Sequence, residues 1–106
     1  MKMPALFDLT GRVAVVTGGN GGIGRGIALG LAEAGAAVAV FGRNEDKNQR
    51  VLSELKAIGV PSIALRVDVA DRAVLGPALN KVESELGSLS ILVNNAGNVS
   101  LSGGVL

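Results

Sequence analysis

The sequence contains no cysteine, histidine, tyrosine or tryptophan. Without cysteine there is no disulfide framework, and without histidine as well the usual zinc sites are excluded. The same two absences exclude Ser-His-Asp and Cys-His nucleophiles. No metal site is therefore assigned. An excess of one charge is also missing: the net charge is +1, and the ten basic residues are scattered along the chain. Neither nucleic acid nor an anionic membrane is implied as a partner. The N-terminal Met1-Lys2-Met3-Pro4-Ala5-Leu6-Phe7-Asp8 lacks the apolar core of a signal peptide. The most apolar region, residues 26–42, carries Glu33 and several glycines, which suits a helix and a buried strand better than a membrane span. A cytoplasmic location is expected.

What is present is apolar and glycine-rich. A hydrophobic fraction of 48% and a mean hydropathy of +0.46 in 106 residues indicate one small domain with a real core. The chain is organised around residues 13–26, where the apolar run Val13-Ala14-Val15-Val16 enters the glycine-dense turn Thr17-Gly18-Gly19-Asn20-Gly21-Gly22-Ile23-Gly24. A strand that stops at such a turn and restarts as a helix leaves the first helical N–H groups unpaired. Those donors and the positive end of the helix dipole suit a phosphate. Glycine lets the backbone turn tightly and approach the phosphate without an intervening Cβ. A Walker loop fits less well, because no Gly-Lys-Ser/Thr follows.

The rest of the chain repeats a strand–helix alternation. Strands are expected at residues 12–17, 36–41, 62–67 and 91–93. The first helix spans residues 22–34 with Ile23, Ile27, Leu31 and Ala34 on one face at helical spacing, and Gly35 caps it. Gly26 and Gly30 on one face suggest close packing of that helix on the sheet. Asn44 caps the second helix, Glu45 and Asp46 oppose its dipole, Val51, Leu52, Leu55 and Ile58 form its buried stripe, and Gly59 with Pro61 ends it. Asp71 is placed to cap a third helix with the stripe Val74, Leu75, Ala78, Leu79, Val82 and Leu86. Pro77 interrupts it, and the favoured solution makes residues 71–76 a separate turn with Pro77 opening the true helix. A kinked continuous helix is the alternative. The βαβαβαβ pattern implies an α/β fold, a Rossmann-like parallel sheet of order 3-2-1-4 with helices on both faces.

Three motifs in order resemble the short-chain dehydrogenase/reductase family: Thr17-Gly18-Gly19-Asn20-Gly21-Gly22-Ile23-Gly24, then Asp68-Val69 after strand three, then Asn94-Asn95-Ala96-Gly97 after strand four. The resemblance covers nearly the whole chain. It implies that Gly18, Asn20, Gly22, Ile23 and Gly24 line the pyrophosphate and ribose of a nicotinamide dinucleotide. Asp68 would bond the adenine amino group, with Val69 beside the ring. Asn95, Ala96 and Gly97 would pass under the other ribose, while Asn94 braces the sheet. Where an acid would pair with the adenosine ribose diol, the chain has Gly42-Arg43-Asn44. Arg43 offers a forked cation suited to a 2′-phosphate, so NADP(H) is favoured over NAD(H). The competing reading is a solvated surface arginine in an NAD-using protein, with Glu45 and Asp46 close enough to compete for it.

The family's catalytic Ser, Tyr and Lys have no counterpart, since the sequence holds no tyrosine. Residues 1–106 are therefore expected to be an NAD(P)-binding Rossmann half-domain, truncated after the fourth strand and inactive by itself. The parent would move a hydride between NADP(H) and a small-molecule carbonyl or secondary alcohol. A non-catalytic dinucleotide-binding module and a vestigial product are the alternatives. Family members form homo-oligomers through later helices that this sequence lacks. The lead-in at residues 7–12 and the Gly42-Arg43-Asn44 turn resemble sugar-alcohol and 3-oxoacyl reductase members.

Overall fold

The two runs of small and β-branched residues form the centre of a sheet, because every residue in each is buried. The computed structural model describes residues 8–95. In chain order these form β1 (Val13–Thr17), α1 (Gly22–Glu33), β2 (Ala37–Gly42), α2 (Glu45–Ile58), β3 (Ser62–Arg66), α3 (Arg72–Leu86) and β4 (Ile91–Asn94). The sheet order is β3-β2-β1-β4 and each pairing is parallel. Alternation along the central strands divides the core in two. Val13, Val15, Ala37, Ala39 and Phe41 face Ala78 and Val82 of α3. Val16, Val38 and Val40 face Ala28 and Ala32 of α1 and Val51 and Leu55 of α2. Helices therefore cover both faces.

The helix ends follow local chemistry. Asn44 accepts a hydrogen bond from the Lys47 N–H at 3.0 Å and opens α2, and Gly59 closes it in the left-handed region at φ 104°. Gly35, at φ 106°, follows the end of α1.

Ile58, expected on the buried stripe of α2, lies exposed at the end of that helix. Two larger expectations are also corrected. The first concerns Pro77, which does not open a helix. Asp71 accepts from the Ala73 N–H at 3.0 Å, α3 starts at Arg72, and Pro77 sits inside it. The missing N–H costs one bond, to a carbonyl on the exposed residue Ala73. Packing of Leu75, Ala78, Leu79 and Val82 against the sheet offsets that loss, whereas Val74 is left at the surface.

The second correction concerns the inner face of α1. The buried positions are Gly24, Ala28 and Ala32, whereas Ile27 and Leu31 lie half-buried beside them and Ile23 is 78% exposed. Small residues face the sheet because α1 starts in direct contact with the end of β1, which leaves no room for branched side chains beneath it. Gly26 and Gly30 do not mediate that contact. Both are exposed, and a Cβ at either would meet nothing within 4 Å. Gly30→Ala should therefore stabilise the fold by about 0.5–1 kcal/mol through a less flexible unfolded chain. Thermal melting should show a rise of a few degrees.

Candidate functional site

Each connection that leaves a strand at the carboxyl edge of the sheet carries one of the sequence motifs. The chain winds outward from β1 through β2 to β3 and then returns to β4 on the other side of β1. Beside β1 lies the topological switch point, where open α/β sheets place their ligands.

The β1–α1 turn is shaped by glycine at two positive φ angles, 66° at Gly18 and 56° at Gly22. The Gly18 N–H donates to the Phe41 carbonyl at 2.8 Å, which ties the loop to β2. Gly21 caps α1 without a side chain, and the bond from the Arg25 N–H to the Gly21 carbonyl is 3.2 Å long. The N–H groups of Gly22, Ile23 and Gly24 precede that bond. α1 has neither a capping side chain nor an acidic residue in its first turn, whereas α2 has the Asn44 cap with Glu45 and Asp46 behind it and α3 has the Asp71 cap. A Cβ built on Gly21 or Gly22 meets nothing within 4 Å, so the approach to this backbone is open. An uncompensated helix N-terminus with an open approach accepts an anion.

Gly24 has the opposite environment. A Cβ there would overlap the Gly18 carbonyl oxygen and lie 2.5 Å from Asn95 Nδ2. The third glycine of the loop is thus a packing requirement between helix and strand. Asn95 reaches into the same junction, its Nδ2 donating to the Gly18 carbonyl at 3.4 Å and its backbone N–H to Thr17 Oγ1 at 2.9 Å. The Thr17 hydroxyl stands 3.1 Å from Asn94 Oδ1 and donates to it. Asn94 therefore braces β4 against β1 as expected, and Asn95 adds a brace to the loop.

At the end of β2, Arg43 and Asn44 are exposed, and Arg43 forms no ion pair with Glu45 or Asp46 among the described residues. Beyond β3, Asp68 Oδ1 accepts from the Ala70 N–H at 3.0 Å, and Val69 packs against the α3 face of the core. The Val67 N–H donates to the Gly42 carbonyl at 3.1 Å and keeps the β2 and β3 ends together. Ala96 and Gly97 lie outside the described residues.

Sequence reasoning missed two groups. Asn48 is a fully buried amide on α2 that touches the glycine loop, and its signal is a polar residue three positions before Val51 on the buried stripe. Lys47 and Arg50 line a cleft of about 310 Å³ beside Asn20 and Gly21, with Arg25 and Glu54 on its wall. The i, i+3, i+7 spacing of Lys47, Arg50 and Glu54 on one helical face was the available signal. Arg25 Nε donates to Glu54 Oε1 at 2.8 Å, and the hydrogen bonding from Arg25 holds the Glu54 carboxyl below the usual range.

Comparison with known proteins decides the family. The family model for short chain dehydrogenases matches residues 12–104. The chain belongs to the short-chain dehydrogenase family. It is 48% identical over 85 residues to the 3-oxoacyl-[acyl-carrier-protein] reductase of Staphylococcus aureus, covering 79% of this chain and 35% of that protein. A short-chain type dehydrogenase/reductase from Mycobacterium marinum superposes with a TM-score of 0.84 at 41% identity, over 94% of this chain and 41% of that one. A 7α-hydroxysteroid dehydrogenase solved with NADH and 7-oxo glycochenodeoxycholic acid gives 0.83 at 38% identity, over 87% and 36%. The chain thus spans roughly a third of the length of the curated relatives it matches, from 29% to 35%. Among the described residues no helix is long and apolar enough to cross a membrane, and no cluster of acidic residues could hold a metal ion.

Proposed function

We propose that this chain is the NADP(H)-binding half of a short-chain dehydrogenase that interconverts a carbonyl compound and a secondary alcohol. The observation that carries the proposal is the start of α1. It is the one helix among the described residues whose N-terminus has neither a capping side chain nor an acidic first turn, and it opens at the switch point. A dinucleotide pyrophosphate fits that backbone, with Gly18, Asn20, Gly22, Ile23 and Gly24 around it. Exposed Ile23 would offer an apolar edge to the bound molecule. Asp68 would accept from the adenine amino group, Val69 would flank the ring, and Asn95 with Ala96 and Gly97 would run beneath the second ribose.

When bound, the nicotinamide supplies or accepts the hydride. This chain's residues hold and orient it. With no tyrosine in the sequence, the proton donor typical of the family has no candidate here, so hydride transfer is assigned to a protein that also carries that residue. A cysteine-free chain with no membrane-spanning helix among its described residues suits the cytoplasm.

Structural neighbours include one solved with NADH and one, RhlG of Pseudomonas aeruginosa, solved with NADP, so the fold alone does not choose between them. What favours NADP(H) is local: Arg43 is exposed, forms no ion pair with its acidic neighbours, and follows a glycine where a ribose-binding acid would stand. Arg43→Ala should weaken NADPH by about tenfold or more and leave NADH unchanged, as loss of one charge-assisted contact predicts. Fluorescence titration of both cofactors makes the comparison. Equal weakening of the two would overturn the choice of NADP(H).

A further inference from the structure

Asn48 is the fourth residue of α2 and is 0% exposed, on a helical stripe that otherwise holds Val51 and Leu55. An apolar side chain would satisfy that stripe, and a buried amide without partners is costly. This amide has partners in three segments. Its Nδ2 donates to the Gly42 carbonyl at 2.9 Å and to the Leu65 carbonyl at 3.3 Å, at the ends of β2 and β3. Its Oδ1 accepts from Asn20 Nδ2 at 3.0 Å, in the glycine loop.

The bridge from Asn20 to Asn48 runs across Gly42. A Cβ on Gly42 would overlap Asn20 Nδ2 and stand 2.7 Å from Asn48 Oδ1. Asn48 is anchored to two carbonyls and is buried, whereas Asn20 is half-buried and held, among the described residues, by the one amide contact. A side chain at position 42 therefore displaces Asn20 rather than Asn48.

We propose that Asn48 is a positioning residue for the dinucleotide site: it holds Asn20 across Gly42 and so fixes the glycine loop to the end of β2. A side chain at position 42, including the acid that would bind an adenosine ribose diol, enters only by releasing Asn20 from this bridge. The residue that ends β2 and the conformation of the phosphate loop are thereby coupled. This inference rests on the assignment of the loop to a dinucleotide.

The test compares wild type, Asn20→Ala, Asn48→Leu, Gly42→Ala and their pairwise combinations by NADPH titration, with thermal melting of each variant. Every single variant breaks the same bridge, so each should raise the NADPH Kd about tenfold, and no double variant should exceed its weaker parent by more than about twofold. In ¹⁵N spectra the side-chain amide of Asn20 should be shifted in wild type and move to the free-amide position in Gly42→Ala and Asn48→Leu. Should Asn48→Leu fail to fold, Asn20→Ala and Gly42→Ala carry the same comparison without touching the buried stripe. Additive effects, or an Asn20 amide signal unmoved by Gly42→Ala, would overturn the proposal in a protein that binds NADPH. Absence of any dinucleotide binding by wild type would instead overturn the underlying assignment, and this inference with it.

Discussion

Gly24→Ala should abolish dinucleotide binding and destabilise the fold by about 2–4 kcal/mol, near the upper end of overpacking costs. The added Cβ falls on the Gly18 carbonyl oxygen and 2.5 Å from Asn95 Nδ2. A flexible side chain could turn away, but the Gly18 carbonyl is main chain, in a residue already fixed by its N–H bond to Phe41. Relief requires α1 to lift from the end of β1, which moves the same N–H groups that would face the phosphate. Melting should fall by roughly 10 °C or more, given the size of the domain. Gly26→Ala, two residues along and on the far side of the helix in open space, is the control and should melt no lower than wild type. A Gly24→Ala protein with wild-type melting would show that the helix–strand contact is looser than described.

Thr17→Val should carry the second large effect. Thr17 is 5% exposed at the end of β1, where valine fits the same shape but has no hydroxyl. The change removes the acceptor for the Asn95 N–H at 2.9 Å and the donor to Asn94 Oδ1 at 3.1 Å. Both partners belong to the strand end that closes the site from the β4 side. Leaving them without this hydroxyl should cost about 1–3 kcal/mol. Because Asn95 also holds the Gly18 carbonyl, dinucleotide affinity should fall about tenfold in parallel. Thr17→Ser keeps the hydroxyl and should bind nearly as wild type. Equal losses in the serine and valine variants, read by melting and by titration, would assign the effect to the methyl group instead.

The sequence disclosed the elements best where one residue imposes the backbone geometry. Asn44 and Asp71 cap helices because a short polar side chain can close the first turn. Gly59 ends α2 because the left-handed region suits glycine. The strand order was legible because central strands of a parallel sheet must be apolar on both faces, as residues 13–17 and 37–42 are. Pattern failed where packing at a distance decided the outcome. The larger residues of α1 suggested its inner face, yet contact at Gly24 makes Ala28 and Ala32 the residues that meet the sheet. Pro77 looked like a helix start because local propensity disfavours it inside, and tertiary packing of α3 overrides that preference. Of the site, the loop glycines and the Asn94–Asn95 pair were visible as motifs. Thr17 was visible only as the motif's first letter and Asn48 not at all, because their bonds exist only when segments far apart in sequence meet.

The central claim is that a dinucleotide pyrophosphate sits on the N-terminus of α1. Titrating ¹⁵N-labelled protein with NADPH and following backbone amides tests it most directly. The account predicts saturable shifts that are largest at Gly22, Ile23 and Gly24, with smaller ones at Gly18, Asn20 and Arg43. Saturable binding whose shifts leave Gly22–Gly24 unmoved and cluster around Arg50 and Glu54 instead would contradict it, as would no shift at all.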